Sequence, residues 1–337
     1  MTVVYVVHCI DTEGPLHEPL QVTFDRIAGI FSLHFEPSRE TLVQLQNKEI
    51  DLNGLESEVA RVLAPQILDY NDTWDKLDEM LRSALSTDFR DAQKDSFNNG
   101  WIYNWHCLDL VGFVDNPRRR DLGFHKIFDH YRNILAETGS HQDGVHFHHH
   151  PIPFSESAHH CATHYFNRKP IIFEILARRI IERSWFPCIN RPGFHTTRPD
   201  SHWLMEQFIP FDYANQATGE DYSAQRDLAN GRYGDWRRAP STWQPYHPSH
   251  DDYQTPGTCR RWIGRCLNVG TRLRLLTQDD VDQAFQEAQD GKPVILSFTN
   301  HDFRDLRPDV VAVQEMLNNA ASRFPGVKFR HCEGREA

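Results

Sequence analysis

The chain has 337 residues, and 36 basic against 47 acidic side chains give it a net charge of −11 at pH 7 with His neutral. This acidic balance argues against binding to a nucleic-acid backbone, which needs a basic surface. Apolar residues make up 39 % of the chain, so it can bury a sizeable core and does not belong to the disordered class.

The cysteines and the apolar runs indicate a cellular compartment. The seven cysteines are scattered and no two have C-x-x-C spacing, which is typical of reduced thiols in a cytosolic protein. No basic segment or long apolar segment precedes Val3–Val7, so we expect no export signal. No apolar run approaches the ~18 residues that span a membrane. We therefore predict a cytoplasmic protein, and the sequence gives no indication of its oligomeric state.

The first predicted element is a strand over Val3–Ile10, a short apolar run rich in β-branched residues. A turn sequence, Asp11-Thr-Glu-Gly-Pro15, ends it. Residues 16–100 are mixed and polar, and we predict that they form a long insertion or cap within one domain covering residues 1–337. The predicted helices of this insertion lie near 54–64 and 73–86.

The remaining predicted elements alternate between strands and helices. Strands are predicted at 101–111, 144–150, 185–190, 211–214, 293–298 and 327–329. Helices are predicted at 123–137, 171–181, 201–208, 279–289 and 308–324, and residues 216–258 are predicted to be loops. This alternation predicts a mainly parallel sheet, open or closed into a barrel, whose chemistry lies at the carboxyl ends of the strands.

An acidic pair, Asp11 and Glu13, ends the first strand. Residues i and i+2 of a strand point to the same face, so the two carboxylates would repel unless a cation or a proton lies between them. This favours a metal site. The alternative is a helix N-cap followed by an acidic first turn.

Histidine is unusually frequent, with 20 copies, and many of them fall in one stretch. The cluster contains His141, His146, His148, His149, His150, His159, His160 and His164. Neutral imidazole is a common metal ligand near pH 7, so the cluster favours metal binding. His146 and His150 are four residues apart, whereas His146 and His148 share a strand face, and either pair could chelate one ion. The sequence leaves open which two of His146, His148, His149 and His150 bind.

Two further strand ends carry polar residues. Arg191, in Arg191-Pro-Gly-Phe194, could hold a carboxylate by a two-pronged contact, and the alternative is an exposed arginine in a surface turn. His301, followed by Asp302, suits a general acid at the end of a late strand. The alternative there is a helix N-cap at Asn300 or Asp302.

The order of these motifs resembles the polysaccharide deacetylase (NodB homology) family and is most similar to members associated with O-antigen and capsule biosynthesis. The resemblance implies an α/β fold, a distorted (β/α)7-type barrel with a long insertion after the first strand. It implies that Asp11 is the catalytic base, oriented by Arg191, and that His301 is the acid. The implied metal ligands are Glu13, His146 and His150. Glu13 would have to meet the two histidines although they lie about 130 residues further along the chain.

The sequence departs from the family pattern at two places. Thr12 separates the two acidic residues, and Glu13 stands where the family has an Asp ligand. The family's Asp-x-x-Asp-Trp motif has no clean match, although Asp235-Trp236 or Asp251-Asp252 could replace it.

The resemblance implies a metal-dependent hydrolase of amide bonds, a deacetylase or deformylase that acts on an N-acyl sugar. One divalent ion would be bound, Zn²⁺ or alternatively Co²⁺, Ni²⁺ or Mn²⁺. The substrate would be a nucleotide- or lipid-linked sugar in the cytoplasm. The candidate substrate-binding residues are Trp105, Asp109, His148, Asp235 and Trp243, and ordinary core or loop packing is the alternative for the tryptophans, Trp101 and Trp236 included. Two other functions stay open, namely hydrolysis of a non-sugar amide and sugar binding without catalysis.

Overall fold

The strands of this computed structural model form one all-parallel sheet within the described residues, which are 2–118, 122–158, 164, 170–218, 234–270 and 275–337. In chain order they are β1 (Thr2–Thr12), β2 (Tyr103–Leu108), β3 (Gly144–His149), β4 (Ile189–Pro192), β5 (Phe211–Asn215), β6 (Trp262–Asn268), β7 (Val294–His301) and β8 (Val327–His331). Because β1 pairs with both β2 and β7, strands β1 to β7 close into a seven-stranded barrel. The predicted (β/α)7-type barrel is confirmed.

Strand β1 has three partners because it is longer than its neighbours. One edge pairs with β7 from Val4 to Asp11. The other edge is shared, since its first residues pair with β8 and its last residues, His8 to Thr12, pair with β2. The end of β1 therefore lies at the mouth of the barrel, between the ends of β2 and β7.

The strands read as apolar runs because a closed parallel barrel is buried on both faces. Val7, Cys9 and Cys266 belong to a small apolar cluster that includes Ile189 and Tyr213. A much larger apolar cluster joins the strands to the helices around the barrel. Side chains on alternate residues of one strand therefore meet either the barrel interior or the helical layer.

Helices lie between the strands along the chain. They are α1 (Leu20–Phe31), α2 (Arg39–Gln46), α3 (Glu56–Val62), α4 (Pro65–Leu68), α5 (Trp74–Ala84), α6 (Thr87–Asp91), α7 (Lys126–Glu137), α8 (Ile171–Arg183), α9 (Pro199–Phe208), α10 (Gln278–Gln289) and α11 (Arg307–Arg323). Polar caps begin several of them: Thr73 accepts the Lys76 N–H, and Thr277 and Asp280 form a capping box. Within the part of the chain that the structure describes, no helix combines the length and the apolar character needed to cross a membrane.

The insertion after β1 has its own apolar core, formed by helices α1 to α3 and the segments between them. Its buried residues are Phe24, Ile27, Phe31, Leu45, Leu52, Val59, Val62 and Leu63. Helix α5, in contrast, packs against the barrel through Leu77 and Leu81. The main-chain N–H of Leu16 donates to the carbonyl of Asn71 at 3.0 Å, so the insertion leaves and rejoins the barrel at neighbouring points.

Candidate metal-binding and catalytic site

An ion pair at the mouth of the barrel joins β1 to β4. The Arg191 guanidinium donates to both Asp11 oxygens, from Nε to Oδ1 at 2.5 Å and from Nη2 to Oδ2 at 2.9 Å. Arg191 Nη1 also donates to the Tyr213 carbonyl at 3.1 Å, which fixes the plane of the guanidinium. Both members of the pair are buried. The predicted two-pronged contact between Arg191 and Asp11 is therefore present.

Burial shifts the pKa of the Asp11 carboxyl. It raises the pKa of the Asp11 carboxyl above its ordinary value, although Arg191 beside it acts in the opposite direction. A carboxylate is a better proton acceptor when its pKa lies closer to the working pH. Asp11 thus has both the fixed orientation and the direction of pKa shift that a general base requires.

Three side chains next to this pair could hold a metal ion: Glu13, His148 and His150, called the mouth group below. The Nε2 atoms of His148 and His150 are 3.0 Å apart. Glu13 Oε1 lies 3.6 Å from His150 Nε2 and 3.9 Å from His148 Nε2. Ligand atoms ~2.1 Å from a tetrahedral Zn²⁺ would be separated by about 3.4 Å. The spacing of the mouth group therefore fits one such ion.

The hydrogen bonding of His148 prepares it as a ligand. Its Nδ1 lies 2.6 Å from the main-chain carbonyl of Arg191, which can only accept, so Nδ1 carries the hydrogen. The lone pair is therefore on Nε2, the atom that faces the rest of the mouth group. Burial, together with His150 and Arg191, also lowers the pKa of His148 well below its ordinary value. A neutral ring held by a carbonyl at its second nitrogen is the usual form of a histidine metal ligand.

His301 lies near both carboxylates, at the end of β7. Its Nε2 is 3.6 Å from Asp11 Oδ2 and 3.8 Å from Glu13 Oε1. Its side chain is 21 % exposed, against 5 % for that of Asp11. The ring centroid of His301 lies 4.6 Å from that of Phe303. The structure therefore brings the predicted acid to the mouth, at a depth where it can meet a ligand from solvent.

Of the three ligands that the resemblance implies, the structure brings Glu13 and His150 together with His148, whereas His146 lies apart from them. Strand β3 continues to His149, so His146 lies two residues, roughly 6.6 Å, deeper in the barrel than His148. There its Nε2 is 3.0 Å from Asn104 Oδ1 and 3.0 Å from Glu333 Oε1. His146 and His150 would be roughly 13 Å apart along an extended chain, too far to hold one ion.

The predicted tryptophan contacts are not at the mouth. Trp105 is fully buried and its Nε1 donates to Asp143 Oδ2 at 3.1 Å. Trp243 is 1 % exposed and donates to the Asp280 carbonyl at 2.8 Å. Core packing, the alternative considered for these side chains, describes their positions. Trp101 and Trp236 are also buried, and Trp236 Nε1 donates to the carbonyl of His195 behind Arg191.

The two remaining substrate candidates are engaged elsewhere. Asp109 accepts the His125 N–H at 2.6 Å and an Arg179 Nη2 hydrogen at 2.7 Å, so it links β2 to the helical layer. Asp235 is half-buried and pairs with Arg237 at 2.9 Å. The clustered histidines His159 and His160 lie outside the described residues.

Several residues near the mouth were not predicted. The ring of Phe194 lies edge-on to His150, with centroids 5.0 Å apart. His195 contacts the Arg191 guanidinium at 3.1–3.2 Å. Both have positive φ angles, 55° and 51°, which non-glycine residues adopt only where the surroundings hold them. Their proximity to Arg191 in the sequence was the available signal.

Comparison of the chain with models of known protein families and with curated proteins found no match.

Proposed function

We propose that the chain is a metal-dependent hydrolase of amide bonds, of the polysaccharide deacetylase type, that removes an N-acyl group from a sugar. The observation that carries the proposal is that Asp11, held by Arg191, lies with His301 beside the mouth group. Contacts of 3.6–3.9 Å join the two carboxylates, His148, His150 and His301. A fixed base, a set of metal ligands and a proton donor around one point are the parts that metal-assisted hydrolysis needs.

The donor atoms of the mouth group suit a divalent ion of the Zn²⁺ type. Glu13, His148 and His150 would hold it through one carboxylate and two imidazoles, and Co²⁺, Ni²⁺ and Mn²⁺ accept the same ligands. When bound, the ion supplies Lewis-acid chemistry, since it polarises an acyl oxygen and lowers the pKa of water.

The side chains of the protein would move the protons. Asp11 accepts a proton from the attacking water, and Arg191 keeps the carboxylate in one orientation while it does so. His301, whose Nε2 lies 3.6 Å from Asp11 Oδ2, donates a proton to the nitrogen of the leaving amine. The first transfer takes place at the buried Asp11, where fixed charges act more strongly than in water.

The sugar is the part of the proposal that rests on the resemblance of the motifs. We propose a nucleotide- or lipid-linked N-acyl sugar of surface-polysaccharide biosynthesis, modified in the cytoplasm. Phe194, half-buried beside His150, supplies an aromatic surface at the mouth that an acyl group or a sugar face could contact.

The test is a substrate panel with the metal-loaded protein. Acetylated and formylated amino sugars, free and nucleotide-linked, are compared with non-sugar amides, and released acetate, formate and ammonia are measured. We expect release of the acyl acid from at least one amino sugar. Asp11→Asn should lose turnover but keep its metal content, because Asp11 is outside the mouth group.

The outcomes separate the three functions. Release from non-sugar amides alone would support the alternative amide hydrolase. Metal and sugar binding without turnover of any compound would support a sugar-binding protein. A fully active Asp11→Asn protein would contradict the assigned base.

A further inference from the structure

Asp302, the residue after His301, contacts the turn Asp11–Pro15, which carries Glu13 and is called the metal-ligand loop below. Asp302 is fully buried. Its Oδ1 accepts the main-chain N–H of Glu13 at 2.9 Å, and its Oδ2 accepts the N–H of Gly14 at 2.8 Å. Oδ2 also accepts the hydroxyl of Tyr131, on α7, at 2.8 Å. One carboxylate thus joins β7, α7 and the turn that carries a member of the mouth group.

Gly14 allows the tight path of this turn. Gly14 has φ +73°, in the left-handed region, and a Cβ added there would lie 3.2 Å from Leu122 and 3.3 Å from Trp74. Two consecutive main-chain N–H groups, of Glu13 and Gly14, point at the Asp302 carboxylate. Hydrogen bonds to a charged acceptor are among the stronger ones in proteins, so they define the path of the chain at Glu13.

We infer that Asp302 is a positioning residue for the metal centre, and that it sets metal affinity without being a ligand. It acts through the main chain of Glu13, whose Oε1 lies 3.6 Å from His150 Nε2. Partners that orient a metal ligand typically change metal affinity by about 10–100-fold. The inference rests on the metal site of the proposed function but not on the reaction or the substrate.

Asn71, at the end of the insertion, forms hydrogen bonds with Asp302 and the residue after it. Asn71 Nδ2 donates to the main-chain carbonyl of Asp302 at 2.9 Å, and its N–H donates to the carbonyl of Phe303 at 2.9 Å. The point where the insertion rejoins the barrel is therefore bonded to the residue that holds the metal-ligand loop. Loosening this contact should also weaken metal binding, by a smaller factor than loss of the carboxylate.

A purely structural role for Asp302 is the competing explanation, and the chain offers a matched control. Asp95 is a buried carboxylate that accepts the main-chain N–H groups of Phe97 at 2.8 Å and Asn99 at 2.9 Å. It also accepts the N–H of His331, a residue that pairs with Val6, roughly 16 Å along β1 from Asp11. Asp95→Asn removes a similar acceptor far from the mouth group.

The experiment measures Zn²⁺ affinity by competition with a chelating dye, together with unfolding temperature, for wild type, Asp302→Asn, Asp95→Asn and Asn71→Ala. We expect both Asp-to-Asn variants to unfold at lower temperature. Only Asp302→Asn should bind Zn²⁺ about 10–100-fold more weakly. Asn71→Ala should weaken binding about threefold, because it leaves the carboxylate in place. The Co²⁺-loaded Asp302→Asn protein should also have an altered visible absorption spectrum.

The results separate this inference from the proposed function. Wild type that binds no divalent ion would overturn both. Wild type that binds Zn²⁺ with a folded Asp302→Asn variant of equal affinity would overturn the inference alone. If Asp302→Asn does not fold, Asn71→Ala decides, and an affinity equal to wild type then overturns the inference.

Discussion

Two histidine–glutamate groups lie in the barrel at different depths, and only one of them is arranged to hold a cation. The mouth group joins Glu13 to His148 and His150. Deeper, His146 and Glu333 form what is called here the floor pair, with Nε2 and Oε1 3.0 Å apart. Both groups draw on the same strand, β3, and both are built from the same residue types.

The two groups differ in where the hydrogens lie. In the floor pair, a ring nitrogen that can donate meets two acceptors, Glu333 Oε1 and Asn104 Oδ1, each 3.0 Å away. In the mouth group, the Arg191 carbonyl takes the His148 hydrogen on the far side of the ring, so a lone pair points toward Glu13 and His150. The lone pairs of His148 Nε2 and Glu13 Oε1 that converge in this way are stabilised by a cation, or by a hydrogen that His150 Nε2 donates across its 3.0 Å contact with His148. Hydrogen-bond direction, more than residue type, therefore distinguishes the candidate metal site from the buried polar contact.

The largest expected effect is the difference in Zn²⁺ affinity between alanine substitutions at His148 and at His146. His148→Ala removes a ligand and should weaken Zn²⁺ binding by more than about 100-fold, beyond the range for an orienting partner. His146→Ala should leave Zn²⁺ affinity within about threefold and instead lower the unfolding temperature. Metal content after dialysis and dye competition measure the first effect, and thermal unfolding measures the second. Equal loss of metal in the two variants would contradict the prediction that His148, and not His146, binds the metal.

A second prediction separates binding from proton transfer within the mouth itself. His301→Gln should lower kcat for the best amide of the substrate panel by about 10²–10⁴-fold, because the proton donor is lost. Its Zn²⁺ affinity should match wild type, since His301 is outside the mouth group. Steady-state kinetics across pH and metal titration measure the two properties. A variant with normal kcat would show that another group protonates the leaving amine.

The smallest effect is expected for the floor pair, whose contribution to the free energy of unfolding should depend on pH. Burial opposes ionisation of Glu333, but the interactions with His146 and the hydrogen bonds from Arg335 together outweigh it and lower the pKa of Glu333 below its ordinary 4.5. The ionised carboxylate therefore stabilises the fold fully above about pH 4.5, and this contribution is lost as the pH falls through the lowered pKa.

Glu333→Gln should accordingly reduce the free energy of unfolding by about 1.5–3 kcal/mol at pH 7, the contribution of a hydrogen bond to a charged group. The difference from wild type should shrink as the pH falls below 4.5. Denaturant unfolding of both proteins in the presence of a chelator, at several pH values, measures it. A difference that stays constant down to pH 3 would mean that Glu333 is not ionised in the folded protein.

Most of the architecture could be predicted because the elements carry local patterns. Apolar runs that end in polar turns predicted the positions of β1 and β3, and helical spacing predicted α7 and α8. Strand β6 was missed. Its buried Arg265, which pairs with Asp280 at 2.7 Å, interrupts the apolar run, and the partner that makes this burial tolerable is not local in sequence.

The candidate site could be predicted in part for a similar reason. Asp11, Arg191 and His301 each end a strand, and strand ends meet at the mouth of a parallel barrel. The choice between His146 and His148 depends on where β3 stops extending, and the pattern of residues 144–150 does not show that point. Asp302 could not be recognised from sequence, because it accepts hydrogen bonds from residues near 13 and from α7.

The hydrogen bond between Leu16 and Asn71 has a consequence for how this protein could be redesigned. Chain ends only 3.0 Å apart, N to O, can be joined by a tight turn of a few residues, and the intervening segment has a core of its own. The roughly fifty residues between them thus form an insertion that begins and ends at neighbouring points of the barrel. They could be excised, or exchanged for a segment of different size, without changing the order or the register of the barrel strands.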